Sequence, residues 1–151
     1  MYKRQVHYNL GVTYAVQGNL EIAANEYQLA IEINPNYVFA HDDLAAIYAL
    51  KGNLEAAVTE YKKAIQINPE YAPIYYNLAL AYVLQNEATL SAESLQAAMD
   101  LDEETVAKAR LDSGFDGIRD SSEFQDFIKF KLHEINGIVH RSYYALKPQN
   151  N

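Results

Sequence analysis

Apolar residues recur three and four apart along this chain, in blocks separated by short polar breaks. Leu10, Gly11 and Tyr14 share one helical face, and Ala23, Tyr27 and Ala30 share another. Between the two blocks stands Gly18-Asn19. Glycine accepts the left-handed conformation that a chain adopts after the last turn of a helix. Pro35 closes the second block, because proline disfavours helical backbone in the residue before it. The pattern predicts helix, tight turn, helix, stop.

That unit then repeats. Gly18-Asn19-Leu20-Glu21 returns 34 residues later as Gly52-Asn53-Leu54-Glu55. Tyr14 recurs as Tyr48 and Tyr82, Leu10 as Leu44 and Leu78, and Ala30 as Ala64 and Ala98. Tyr27 recurs as Tyr61, and Asn34-Pro35 as Asn68-Pro69. A fixed period of this length implies one supersecondary unit stacked on itself, not a globule around a single closed core. The functional question therefore moves from a pocket to the inner surface of a stack.

The order Leu-Gly-x-x-Tyr, Ala-x-x-x-Tyr-x-x-Ala, then Pro resembles the tetratricopeptide repeat, with His7, His41 and Tyr75 at that family's usual tryptophan position. The resemblance implies an all-α fold, a right-handed superhelical α-solenoid of helix-turn-helix units. Its copies are residues 4–37, 38–71 and 72–105. The third departs most: Asn86 replaces the turn glycine, Ser91 the alanine, Leu95 the tyrosine and Glu103 the proline. Asparagine is the next best left-handed residue, so the turn is expected to survive. Without proline, the break at Asp102–Glu103 is expected to be softer.

After residue 105 the period fails, with Gly114 and Gly117 where a further helix would run. The residues predict a short helix over about 103–111, an irregular turn through Asp112–Asp120, and a helix from near Glu123 capped by Ser121 or Ser122. Phe124, Phe127, Ile128, Leu132 and Ile135 fall on one stripe of that helix. The run Ala109–Arg119 with Glu123-Phe124-Gln125 resembles the segment closing many bacterial, particularly cyanobacterial, tetratricopeptide arrays. Physically, residues 106–146 are expected to cap the apolar face of the last repeat. Residues 147–151 have nothing to bury and are expected to be disordered.

Composition narrows the function classes. At 151 residues the chain is one domain with no cysteine, so disulfides and thiolate chemistry are absent. No apolar run approaches the roughly 20 residues needed to span a bilayer, and the first repeat starts too early to leave room for a signal peptide. These features point to the cytoplasm. Net charge is −8, and residues 72–105 carry six acids with no lysine or arginine. Nucleic acid is excluded as an expected partner, since its binding depends on clustered cations. A basic partner suits the acidic repeat, although the same charge also serves to keep an apolar-rich stack soluble.

Catalytic patterns are missing. His7 and His41 occupy equivalent repeat positions and read as packing residues. His133 and His140 have no carboxylate or cysteine beside them and make a poor metal site. Asp42 and Asp43 are adjacent on a helix and diverge by about 100°, unlike a catalytic dyad. No phosphate loop or nucleophile elbow is present. The chain reads as a non-enzyme without cofactor or metal.

In the tetratricopeptide family the first helix of each copy lines a concave groove. The resemblance carries groove positions onto Tyr8, Asn9, Val12 and Val16 of the first copy. In the second copy it carries them onto Phe39, Asp42, Asp43 and Leu50, and in the third onto Tyr76, Asn77, Leu80 and Leu84. Tyr8, Asn9, Asp42, Asp43, Tyr76 and Asn77 are large or polar with no evident packing need, and are expected to contact a partner. Family members that grip a C-terminal carboxylate use Lys, Arg and Asn in the groove. Here Tyr8, Val12, Asp43, Pro73 and Asn77 hold those sites, so that use is excluded. The expected function is binding of a protein or peptide segment with apolar anchors and some positive charge. The second reading is self-assembly: the first repeat lacks a cap and leaves an apolar face for a second copy, or the chain is part of a longer array.

Overall fold

A computed structural model describes residues 2–130 and 133. Six helices alternate with short breaks: α1 (Lys3–Val16), α2 (Leu20–Ile33), α3 (Val38–Leu50), α4 (Leu54–Ile67), α5 (Ala72–Leu84) and α6 (Ala88–Leu101). They pack as successive antiparallel pairs, each pair against the next. A shorter α7 (Glu104–Leu111) follows, then a 3-10 turn (Ser113–Phe115) and a helical stretch over 122–130.

Each pair closes by the same turn. Gly18, Gly52 and Asn86 take positive φ, at 78°, 79° and 61°. The amide after each of them reaches back to the carbonyl of Tyr14, Tyr48 or Tyr82 at 2.9 Å. This is the six-to-one bond that satisfies a helix's last carbonyls. Asparagine at 86 therefore performs the glycine's task, as its tolerance of left-handed backbone predicts.

The break between pairs does not depend on proline. Asn34 and Asn68 leave the helical conformation and accept a side-chain bond from the amide two residues on, each at 3.2 Å. Asp102 does the same toward the Glu104 amide at 3.1 Å, with equally extended backbone. The softer break expected at Asp102–Glu103 is not found. A carboxylate can form the same local turn as an amide, and that turn ends the helix.

Apolar packing forms three successive clusters along the stack. Ala23, Ala24 and Tyr27 meet Leu44 and Ile47. Ala57, Tyr61 and Ala64 meet Ile74, Leu78 and Ala81. At the far end Tyr76, Ala79, Val83, Leu95 and Met99 meet Phe115, Ile118 and Phe124. Phe127 and Ile128 pack on that last cluster, partly buried. Leu132, Ile135, His140 and residues 147–151, singled out from the sequence, lie outside the described residues.

The closing segment is shaped by three local devices. The Asp112 carboxylate accepts from the Gly114 amide at 2.8 Å. The Arg119 guanidinium donates to the carbonyls of Arg110 and Asp112 at 2.6 and 2.7 Å. The Ser121 hydroxyl accepts from the Phe124 amide at 3.2 Å and starts the 122–130 helix. Gly114 lies so close to α5 that a Cβ there would come within 2.6 Å of Leu80 Cδ2. Close approach, and not helix breaking alone, is what this glycine permits.

Candidate functional site

The first helices of the three pairs, α1, α3 and α5, contribute the groove positions singled out from the sequence. Most of the polar ones have partners inside the molecule. Asn77 Nδ2 donates to Asp42 Oδ1 at 3.1 Å, joining α5 to α3. The Tyr76 hydroxyl donates to Asp112 Oδ2 at 2.5 Å, joining α5 to the closing segment. The hydroxyls of Tyr8 and Tyr27 both act on the Asp43 carboxylate, joining the first pair to α3. A side chain at the fifth position of each unit thus reaches an acid or amide at or near the sixth position of the next, and these contacts form a ladder across the junctions.

The premise that these residues have no packing need is corrected by this geometry. Tyr76 is buried, with 4% of its surface exposed. Its ring meets Phe115 edge-on at 5.5 Å, and the Lys108 ammonium lies 4.1 Å from its centroid. Tyr8 is half-buried between Tyr27 and Tyr37, with ring centroids at 5.7 and 5.1 Å. Leu80 is partly covered by the Gly114 turn. Sequence reasoning missed Lys108, Asp112 and Phe115 as partners of α5, because they fall where the period fails and no signature position points to them.

Ionisation follows the same contacts. Burial raises the Asp42 carboxyl above the ordinary aspartate range; the Asn77 bond opposes this and the Asp43 charge adds to it. Burial also raises Asp43, against the hydrogen bonds of Tyr8 and Tyr27. Asp112 goes the other way, lowered by the Tyr76 hydroxyl and the Gly114 amide. The Tyr8 and Tyr76 hydroxyls are pushed up, first by burial and then by Asp43 and Asp112 respectively. Asp42 and Asp43 form no ion pair among the described residues.

The remaining groove positions are open. Val16, Leu50 and Leu84, one period apart, are 84%, 72% and 59% exposed. Asn9 is exposed and accepts from Gln5 at 2.9 Å. Val12 is exposed as well. Phe39 projects between Tyr37 and Tyr71, both edge-on at 6.2 and 5.9 Å. At one end, Pro73, Tyr76, Asn77, Thr105 and Lys108 line a cavity of about 220 Å³ between α5 and α7. Among the described residues no group of three or more His, Cys, Asp or Glu could hold a metal ion, and no helix is long and apolar enough to cross a membrane.

Helix pairs stacked in succession define a helical-repeat scaffold. Tetratricopeptide-repeat models match residues 5–37, 26–59 and 72–105, and a further TPR-repeat model matches 45–86. The chain belongs to the tetratricopeptide-repeat family. Its fold is similar to that of the first TPR of Spaghetti (RPAP3) bound to the HSP90 peptide SRMEEVD. The TM-score is 0.67 at 18% identity, over 72% of this chain and 90% of that one. It is also similar to MamA, with TM-score 0.70 at 19% identity, over 91% of this chain and 81% of that one. No curated protein matches the chain in sequence.

Proposed function

We propose that this chain is a non-catalytic, cytoplasmic protein-interaction module that takes a partner segment along its concave face. The observation that carries the reading is the exposed aliphatic row Val16–Leu50–Leu84. Large apolar groups left open at the same position of every unit mark an interaction surface, since isolated exposed residues would not recur with the repeat. Phe39, framed by two tyrosines, supplies an aromatic anchor beside the row. Val12 and Asn9 extend the surface on α1.

Charge selects the partner. Asp42 and Asp43 are half-buried carboxylates bonded, among the described residues, to neutral donors, so a lysine or arginine head from a partner completes them. The peptide in the similar RPAP3 structure ends in Glu-Glu-Val-Asp. A segment of that kind would meet like charge here, which favours a basic and apolar segment instead. Because both carboxyls are raised, binding of the cation weakens as pH falls through their range.

Selection from a displayed random-peptide library tests the reading. Enriched peptides are expected to combine apolar residues with Lys or Arg, and their binding to weaken with salt. The variant V16S/L50S/L84S is expected to lose that binding while its stability changes by no more than about 0.5 kcal/mol per site. Acidic winners, or a triple variant that binds as well as the parent, would sink the proposal.

One observation favours self-association as a second reading. Val6, Leu10, Ile22, Leu29 and Ile33 of the first pair are all exposed aliphatics. A second copy meeting them would bury that face in a two-fold contact. Light scattering across a concentration series is expected to show a dimer that V6S/L10S dissociates; a monomer at every concentration would remove this reading.

A further inference from the structure

On the side of the stack away from the groove, His41 is buried and has both ring nitrogens engaged. Nδ1 lies 2.7 Å from Glu60 Oε2, and Nε2 lies 2.8 Å from the Pro35 carbonyl. Both partners are acceptors with no proton to give. A neutral imidazole carries one N–H and can satisfy only one of them, whereas the imidazolium donates to both. Glu60 is held in its charged form by a second bond, from Lys63 at 2.7 Å. We propose that His41, Glu60 and the Pro35 carbonyl form a proton-dependent latch that fastens the connector between the first two helix pairs onto α4.

Equivalent positions in the same chain show what the latch adds. His7 meets Glu26 at 2.6 Å, but its Nε2 has no acceptor among the described residues. Tyr75 donates to the Pro69 carbonyl at 3.0 Å, the bond His41 makes to Pro35, through a phenol hydroxyl in place of a ring N–H. Ser94 stands where Glu60 does in the second pair. Of the three junction residues, only His41 couples the connector to a carboxylate and a carbonyl together. The groups facing it are Glu60 and Lys63 from α4, Glu32 and Gln28 from α2, and Tyr48 from its own helix.

The direction of the pH effect follows from the pair. Burial disfavours the charged ring, but the bonds to Glu60 and Pro35 outweigh it and His41 is raised above its ordinary value of about 6.5. Glu60 is lowered: burial opposes this, and His41 and Lys63 overcome it. A raised folded-state value means that the latch's stability is fully present below the unfolded value and is lost as pH rises through the folded one. The lowered Glu60 contributes stability above its unfolded value, lost as pH falls through its folded one. The junction is tightest between those limits and loosens as pH rises through the raised His41 value.

Two measurements decide the matter. Proton–nitrogen correlation spectra of the His41 ring at pH 7 are expected to show an imidazolium, where a free histidine would be mostly neutral. A neutral His41 ring at pH 7 would overturn the latch whatever any variant does. The second compares the wild type with H41Y/E60S, which rebuilds the third pair's arrangement and keeps the carbonyl bond without titrating. Between pH 6.5 and 9 the Tm of the wild type is expected to fall relative to that of this variant, the sign that loss of the His41 proton requires. Identical pH slopes in the two proteins would equally overturn it.

Discussion

At the first end of the stack Val6 is 52% and Leu10 38% exposed, while their equivalents Ala40 and Ile74, and Leu44 and Leu78, are at or below 5%. At the other end the apolar face of α5 and α6 is covered by Phe115, Ile118 and Phe124, all buried. Leu10 and Leu44 are the same residue type at the same repeat position on the same kind of helix. What separates them is a neighbouring pair: α3 packs against α2, and among the described residues nothing packs on that side of α1. Burial in a repeat array is a property of the interface and not of the residue, which is why stability in such arrays is close to a sum over neighbours.

The two ends respond differently to truncation if this is right. Phe115→Ala is expected to destabilise by about 3–5 kcal/mol, the range for a large aromatic removed from a packed core. Leu10→Ala is expected to cost about 1 kcal/mol or less, because the side chain is already partly hydrated. Denaturant melts of both variants measure the contrast. Equal losses would break it, and would mean that the first end is covered in solution, as the self-association reading requires.

A smaller effect sharpens the account of the closed end. Tyr76→Phe removes the hydroxyl bond to Asp112 and keeps the ring against Phe115. The expected loss is about 1–2 kcal/mol, at the lower end for a hydrogen bond to a charged group because Asp112 is only half-buried. Because Asp112 is lowered by that bond, its contribution is present above the ordinary aspartate value and is lost as pH falls through its folded value. Acid melts of the two proteins should therefore converge. If the variant remains weaker in acid by the same margin, the loss comes from packing and the bond is not what fastens the cap.

Much of the architecture was legible in advance because the relevant physics is local. Helix faces follow from apolar spacing, the turns from Gly18, Gly52 and Asn86, and the start of the 122–130 helix from Ser121 or Ser122, of which Ser121 makes the capping bond. The misjudged break at Asp102 shows the limit of reading by signature. Proline is the signature stop, but the side-chain turn of Asn34, Asn68 and Asp102 is the shared cause. The groove's packing is less legible. Tyr8, Asp42, Asp43, Tyr76 and Asn77 stand in the sequence as polar residues without evident packing needs, yet each has a partner about one period away. Spacings of 35 and 36 residues between partners lie just beyond the repeat, so a comparison of equivalent positions does not reveal them.

By itself the sequence determined the repeat, its two helices, its turns and the family, because each depends on residues a few positions apart. The tertiary structure decided which side chains remain available. Only the stacking shows that Tyr76 is enclosed by the closing segment while Val16, Leu50 and Leu84 stay open, or that His41 meets two acceptors where His7 meets one. Those outcomes depend on what the next unit places across each junction, and a residue's own position in the period carries no record of its neighbour.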